Sequence, residues 1–240
     1  MGQVIAVLSG KGGTGKTTVC AGIAMALAQD GKEVLCVDCD AGLRNLDLAL
    51  GVSELDALSF ADVSGGSYGL DMAATHPDHP HLHFLTAPAN GAWQDVDTKA
   101  FQKLIAKAKK KFAYVLLDGH SGIGQSFTVL AQCADLCLLV TDGTPAAVRN
   151  TARAAQELEK LGKTDVRLIV NRVDAKLFSK MKLTVDDIMD ETGVPLLGVI
   201  CEDAQVLLGA KRSGQSKKSA AAACGRIAKR LQGISQPITL

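Results

Sequence analysis

Residues 10–18 read Gly-Lys-Gly-Gly-Thr-Gly-Lys-Thr-Thr and match the phosphate-loop pattern G-x-x-x-x-G-K-[ST]. Glycines let backbone N–H groups close around a phosphate, because no Cβ stands in the way. The predicted nucleotide-binding residues of this loop are Gly10, Lys11, Gly12, Gly13, Thr14, Gly15, Lys16, Thr17 and Thr18. Lys16 is expected to reach the β- and γ-phosphates, and Thr17 is expected to ligate Mg²⁺. Lys11 is a second lysine that the general pattern does not require.

The segments on both sides of the loop fit the strand–loop–helix arrangement that the pattern requires. Residues 4–8 form a short apolar run, as expected of a buried parallel strand. After the loop, Val19, Ile23 and Leu27 fall on one helical face, and Gly31 stands where that helix would end. The loop is therefore predicted to lead into a helix whose positive N-terminal end faces an anion.

Length and composition favour one α/β domain. The chain has 240 residues, of which 47% are hydrophobic and only 4% aromatic, so we expect a core of Val, Leu, Ile and Ala under a helix-covered sheet. The net charge of +1 indicates no general attraction to nucleic acid or anionic membranes. Seven scattered cysteines, with no secretory signal and no apolar stretch of membrane-spanning length, favour a cytoplasmic location.

Short apolar runs alternate with amphipathic stretches along the chain. Strands are predicted at residues 3–8, 33–38, 82–86, 113–118, 136–140, 166–171 and 196–200. Helices are predicted at 98–112, after Thr144-Pro145 and at 184–192. The alternation predicts an α/β P-loop NTPase fold, a mostly parallel twisted sheet of about seven strands with helices on both faces. We expect a single domain over residues 1–240, with a tail from about residue 234.

One segment between the second and third predicted strands has a different composition. Residues 64–81 are rich in Gly, Ser, His and Pro, and we expect them to be the least ordered part of the chain. The histidines in and next to this segment are His76, His79, His81 and His83. We interpret them as a solvated loop, because they lack the spacing of a metal site on a helix.

Acidic side chains stand at the ends of two predicted strands. Parallel sheets bind ligands at the carboxyl ends of their strands, so Asp38, Asp40 and Asp118 are candidate site residues. Asp118 has the usual position of the acid that holds Mg²⁺, often through water. Asp40 is placed to orient the attacking water, and Asp38 either structures its loop or contacts the metal. A cap or turn role is the alternative for each of them.

Polar residues also follow two later strands. Asn171 could pair with the edge of adenine, because an amide offers both a donor and an acceptor. Arg172 is its neighbour in sequence, and Glu202 and Asp203 after the last strand could line the same pocket. Ordinary loop roles are the alternative for these four residues.

With Lys11 and these loops in view, the chain resembles the MinD/ParA family of deviant Walker A ATPases. Within that family it is most similar to the MinD branch, which regulates placement of the division site. The resemblance extends to about residue 233. It is carried by residues 10–18, by Gly42-Leu43-Arg44-Asn45-Leu46-Asp47, by the Asp118 loop and by Val148-Arg149-Asn150.

The resemblance implies an ATP-dependent switch in which the monomer binds Mg²⁺-ATP and then forms a homodimer. Lys11 would cross to the partner's phosphates and stabilise charge there, as an arginine finger does. Together with Lys16, Asp40 and Asp118, it completes the predicted catalytic set. Slow hydrolysis would loosen the dimer and release a protein partner of the division or positioning machinery.

The C-terminal residues depart from the family pattern. Family members of the MinD branch usually end in a short basic amphipathic helix that binds membrane in the dimer. Residues 226–234 show only a weak amphipathic pattern, and we interpret them mainly as the last core helix. The membrane anchor is therefore expected to be absent, and peripheral contact with the inner face of the membrane stays open.

Other functions fit the same motifs. DNA segregation of the ParA type would need a basic surface, and the candidate cluster comprises Lys211, Arg212, Lys217 and Lys218. A flagellar regulator of the FlhG type generally carries an N-terminal extension, which we do not expect here. A metabolic P-loop ligase would need a further acid–base set. An iron–sulfur reductase would need cysteines beside the Asp118 loop, where Cys133 and Cys137 are the nearest in sequence.

Overall fold

A computed structural model of the chain describes residues 2–41, 44–89, 92–204 and 219–238. Two features of the sequence analysis lie outside the described residues. One is the Gly42-Leu43 part of the motif shared with the MinD branch. The other is the basic cluster of Lys211, Arg212, Lys217 and Lys218.

The described residues form strands and helices in alternation. The strands are β1 (Gln3–Ser9), β2 (Val34–Asp38), β3 (Ala74–His76), β4 (His79–Leu85), β5 (Tyr114–Ser121), β6 (Leu136–Thr141), β7 (Val166–Val173) and β8 (Leu196–Cys201). The helices are α1 (Lys16–Gln29), α2 (Leu46–Leu50), α3 (Phe60–Ser64), α4 (Thr98–Lys111), α5 (Gln125–Cys133), α6 (Pro145–Lys160), α7 (Ala175–Met181), α8 (Val185–Thr192) and α9 (Ala220–Leu231).

The eight strands of the described residues belong to one sheet, in the order β3-β4-β2-β5-β1-β6-β7-β8. The pairings are parallel except for the antiparallel pair of β3 and β4. This order places β1, β5 and β2 side by side, with Asp118 of β5 in register with Val7 on one side and Asp38 on the other. The carboxyl ends of these three strands therefore lie together at one edge of the sheet.

Helices cover both faces of the sheet. Apolar side chains of α1, α2 and α9 pack on one face, and those of α3, α4, α5, α6 and α8 pack on the other. Strands β2 and β6 are buried along their whole length, which explains why they read as continuous apolar runs. The predicted α/β fold with a mostly parallel sheet and helices on both faces is confirmed.

The predicted helix boundaries are also confirmed. Helix α4 spans Thr98–Lys111, and α6 begins at Pro145 with Thr144 as its N-cap residue. Thr184 caps α8 through a capping box with Asp187. Gly31 has a φ of +73°, a left-handed conformation that favours glycine and stops the chain from continuing as a helix.

The segment 64–81 contains regular structure that the sequence analysis did not predict. A 3₁₀ turn spans Leu70–Met72, and a two-residue turn joins β3 to β4, which adds an eighth strand to the seven predicted. The interpretation of all four histidines as solvated is wrong for His76. Its ring is 4% exposed, and its Nε2 lies 3.0 Å from the carbonyl oxygen of Leu50. The hairpin turns this ring inward, and composition alone does not reveal that.

The last described helix belongs to the core. Ile227 and Ala228 of α9 are fully buried against α1 and the sheet, which confirms the interpretation of this stretch as a core helix. Arg230 of the same helix donates to the carbonyl oxygens of Leu197 and Pro237, both at 2.7 Å. Within the described ranges, no helix has the length and apolar character needed to cross a bilayer.

Candidate nucleotide-binding site

The loop between β1 and α1 needs its glycines for two separate reasons. Gly13 and Gly15 have φ values of +84° and +82°, where residues with a Cβ are strained. Gly10 needs space instead, because a Cβ there would lie 2.2 Å from the carbonyl oxygen of Asn150 on α6. A Cβ on Gly15 would also lie 2.3 Å from the Asn171 side-chain nitrogen. The loop is therefore held tightly between α6 and the end of β7.

Replacement of Gly10 by alanine is expected to lower the free energy of unfolding by about 1–3 kcal/mol, because the backbone of α6 cannot move aside cheaply. Gly12→Ala is the matched control, since a Cβ there meets only the Ser121 side chain at 3.5 Å, an ordinary contact. Urea denaturation without nucleotide measures both variants. Equal stability of the two variants would contradict the close approach at Gly10.

Lys16 at the start of α1 pairs with Asp118 of β5. Its Nζ lies 2.7 Å from Oδ1 of Asp118, and the two residues are 6% and 0% exposed. Burial by itself would lower the pKa of Lys16, but the charge and hydrogen bond of Asp118 raise it overall. The ammonium therefore stays charged, as phosphate binding requires.

Asp118 has a second oxygen that is available for another ligand. Its Oδ2 is buried and has no hydrogen-bond partner among the residues that the structure describes. Burial raises the pKa of Asp118, while Lys16 and the nearby Thr17 hydroxyl oppose that rise. Carboxylate and hydroxyl oxygens are hard donors of the kind that Mg²⁺ prefers. Thr17 and Asp118 thus fit the magnesium site predicted from the sequence.

Asp38 at the end of β2 organises the loop that follows it. Its Oδ1 accepts the backbone N–H of Asp40 at 2.9 Å, and its Oδ2 accepts those of Asn45 and Leu46, both at 3.0 Å. Burial, followed by the charge of Asp118, raises the pKa of Asp38 to about 6. Of the two roles predicted for Asp38, this geometry favours the structural one, and direct contact with the metal stays a prediction.

Asp40 lies beside the same cluster and is 8% exposed. Its Oδ1 lies 2.6 Å from Nδ1 of His120, which follows Asp118 by two residues on β5. His120 was not among the site residues predicted from the sequence. Its position as a polar residue at the carboxyl end of a central strand could have marked it as a candidate. Only the structure shows that its partner is Asp40.

A cavity of about 180 Å³ lies next to the phosphate loop, between the ends of β7 and β8. All four residues predicted to contact or line the adenine pocket border it, namely Asn171, Arg172, Glu202 and Asp203. Asn171 Nδ2 donates to the carbonyl oxygen of Thr14 at 2.8 Å. Arg172 pairs with Glu202 at 3.0 Å, and Asp203 accepts the backbone N–H of Ala220 at 2.9 Å. Contact of these residues with adenine stays a prediction.

Comparison with known protein families agrees with this geometry. The family model described as the CobQ/CobB/MinD/ParA nucleotide binding domain matches residues 5–213. The chain belongs to this family. Membership confirms the resemblance to the MinD/ParA family that was drawn from the phosphate loop and the later loops.

Named relatives and solved structures of this family align with almost the whole chain. The septum site-determining protein MinD of Synechocystis sp. is 34% identical over 99% of this chain and 92% of its own length. The MinD chain in the MinC:MinD cell division protein complex of Aquifex aeolicus is 30% identical, with a TM-score of 0.87, covering 99% of this chain and 98% of that chain. MinD of Pyrococcus horikoshii, complexed with Mg-ADP, is 28% identical, with a TM-score of 0.82 and 96% coverage of both chains.

On the basis of the family model and these relatives, the chain is an ATPase of the MinD type. The prediction that it uses ATP and Mg²⁺ is confirmed by the nucleotide-binding family model and by the Mg-ADP complex of the Pyrococcus relative.

Lys11 is the additional lysine of the phosphate loop, and its contacts differ from those of Lys16. It is half-buried and has no hydrogen bond or ion pair within the described part of the chain. Lys16, by contrast, forms an ion pair with Asp118. One lysine of the loop is thus held inside the monomer, whereas the other is unpaired within the described residues.

The cysteines considered for an iron–sulfur site lie away from the nucleotide edge. Cys137 is the second residue of β6 and pairs with Ala6, well before the carboxyl end of either strand. Cys133 is the last residue of α5, which begins near the Asp118 loop and runs away from it. This arrangement does not support the reductase alternative in this MinD/ParA-family chain.

Proposed function

We propose that the chain is an ATP-dependent, dimerising switch that slowly hydrolyses Mg²⁺-ATP and controls placement of the division site. The observation that carries this proposal is the Lys16–Asp118 pair at the sheet edge with Asp40 beside it. The phosphate loop that supplies Lys16 also carries Lys11, which is unpaired within the described residues. The septum site-determining MinD relatives support the cellular role. We further propose that residues 1–240 form a single domain of this type.

Each residue of the site has a proposed task. Lys16 and the backbone N–H groups of the loop bind the β- and γ-phosphates. Thr17 and Asp118, with Asp38 as a further candidate, would hold Mg²⁺, which when bound neutralises charge on the phosphates. Asp40 orients the attacking water, since one of its carboxylate oxygens makes no hydrogen bond within the described residues. Lys11 stabilises charge on the phosphates of a second copy.

The proposed partners follow from this switch. We propose an ATP-dependent homodimer that recruits a protein of the division machinery, as MinD of Aquifex aeolicus assembles with MinC. We place the protein in the cytoplasm, with contact at the inner membrane face or with DNA to be decided by experiment.

The Asp40→Ala variant is expected to bind ATP, to hydrolyse it about 10²-fold more slowly and to accumulate as a dimer, because the water loses its orienting carboxylate. Phosphate release and sizing chromatography with ATP measure the two effects. Asp190→Ala, which removes an exposed carboxylate on α8, is the control. A monomeric Asp40→Ala variant with normal turnover would refute the proposed role.

Co-sedimentation of the ATP-bound Asp40→Ala protein distinguishes the cellular roles. Anionic liposomes and duplex DNA are tested in parallel, with ADP as the nucleotide control. Binding to liposomes only with ATP supports division-site placement at the membrane. Binding to DNA supports segregation of the ParA type instead. Binding to neither indicates that a partner supplies the anchor.

A further inference from the structure

The contact between His120 and Asp40 joins two loops of the site. The two residues are 80 positions apart in the chain, at the ends of the neighbouring strands β5 and β2. Nδ1 of His120 lies 2.6 Å from Oδ1 of Asp40, while the other oxygen of Asp40 makes no hydrogen bond within the described ranges. One oxygen of Asp40 is thus held, and the other is free for a further ligand.

The carboxylate of Asp40 lies among other negative charges, so a hydrogen bond is needed to fix its position. Asp38 and Asp118 are buried carboxylates whose pKa values are raised mainly by burial and further by the charge of Asp40. Lys16 is the nearby cation, but its ammonium is bonded to Asp118. Asp40 is anchored through its backbone N–H, which Asp38 accepts, but this bond does not set the side-chain rotamer. His120 makes the only hydrogen bond to the Asp40 carboxylate among the described residues.

We propose that His120 is a positioning residue for ATP hydrolysis. Its Nδ1–H donates to one oxygen of Asp40 and fixes the carboxylate, so that the second oxygen stays available to the attacking water. This inference rests on the proposed function, because it takes Asp40 to be the residue that orients water. In this role His120 acts on hydrolysis only through Asp40.

The His120→Ala variant is expected to lower kcat about 10-fold, the size of effect that loss of one hydrogen bond to a charged group produces. KM and Kd for ATP should not change, since no phosphate or base contact is removed. His120→Asn should recover most of kcat, because the amide nitrogen of asparagine takes the place of Nδ1. His120→Gln should not, because its amide nitrogen corresponds to Nε2.

His81→Ala is the matched control. His81 Nδ1 also lies 2.6 Å from a carboxylate oxygen, that of Glu33, at the start of β4 and away from the site. Its removal should leave kcat unchanged. A raised KM with normal kcat in His120→Ala, or equal losses in the alanine and asparagine variants, would overturn the positioning role.

A double-mutant cycle separates this inference from the function on which it rests. On the Asp40→Ala background, His120→Ala should cause no further loss of kcat, because the group through which it acts is gone. Independent, multiplying losses would overturn the proposal. If Asp40→Ala itself hydrolyses ATP normally, the proposed function of Asp40 fails. If Asp40→Ala is slow while His120→Ala is normal, only the role of His120 fails.

Discussion

Lys16→Ala is expected to weaken ATP binding by about 100-fold or more and to abolish measurable turnover, because the phosphates lose their main side-chain cation in a buried loop. Calorimetric or fluorescent-nucleotide titration measures the affinity. The expectation depends on the position of the Lys16 ammonium, which is 6% exposed and held at the carboxyl edge of the sheet by Asp118.

The same substitution also leaves the fully buried carboxylate of Asp118 without its cation, so a loss of stability could be mistaken for a loss of binding. The double variant Lys16→Ala/Asp118→Asn removes this uncompensated buried charge. It is expected to recover much of the lost thermal stability without recovering ATP binding. Wild-type affinity in a folded Lys16→Ala protein would refute the assignment of the phosphate loop.

Lys11→Ala is expected to separate binding from catalysis. The variant should bind ATP with near-normal affinity, since Lys11 makes no hydrogen bond or ion pair within the described residues. It should dimerise less well and hydrolyse ATP about 10³-fold more slowly. Equilibrium titration and phosphate release measure the two properties on the same preparation.

A mixing experiment tests whether Lys11 acts across the dimer. Lys11→Ala and Asp40→Ala are each expected to be nearly inactive alone. In a mixed dimer, the Lys11→Ala subunit keeps its own Asp40 and receives Lys11 from its partner, so one complete site forms and turnover should reappear. If the mixture stays as inactive as its components, while both bind ATP, Lys11 does not act in trans.

Local patterns predicted the elements that position the site. The phosphate loop, the strands on either side of it and the helices beginning near residues 98, 145 and 185 were all predictable. Each depends on periodicity, capping or glycine content within a short window of sequence. Strand β3 and the start of β4 were missed because the Pro and His residues in that stretch resemble a loop, and the hairpin is defined only by its pairing.

The roles of the acids were only partly predictable. Their position at the strand ends places Asp38, Asp40 and Asp118 at one edge of a parallel sheet. Which of them faces a cation and which caps a loop depends on contacts across the sheet. Asp118 meets Lys16, 102 residues away, whereas Asp38 accepts the backbone N–H groups of its own loop.

By itself, the sequence determined the chemistry of this protein: a nucleotide phosphate loop with an additional lysine, on an α/β fold with acids at the ligand edge. These features are local, because spacing along the chain dictates which backbone and side-chain groups can surround a phosphate. Only the tertiary structure decided the pairings, with Lys16 held by Asp118, Asn171 bonded to the loop at Thr14 and Asp40 joined to His120. Those contacts join residues 80 or more positions apart, and the order of strands in the sheet brings them together.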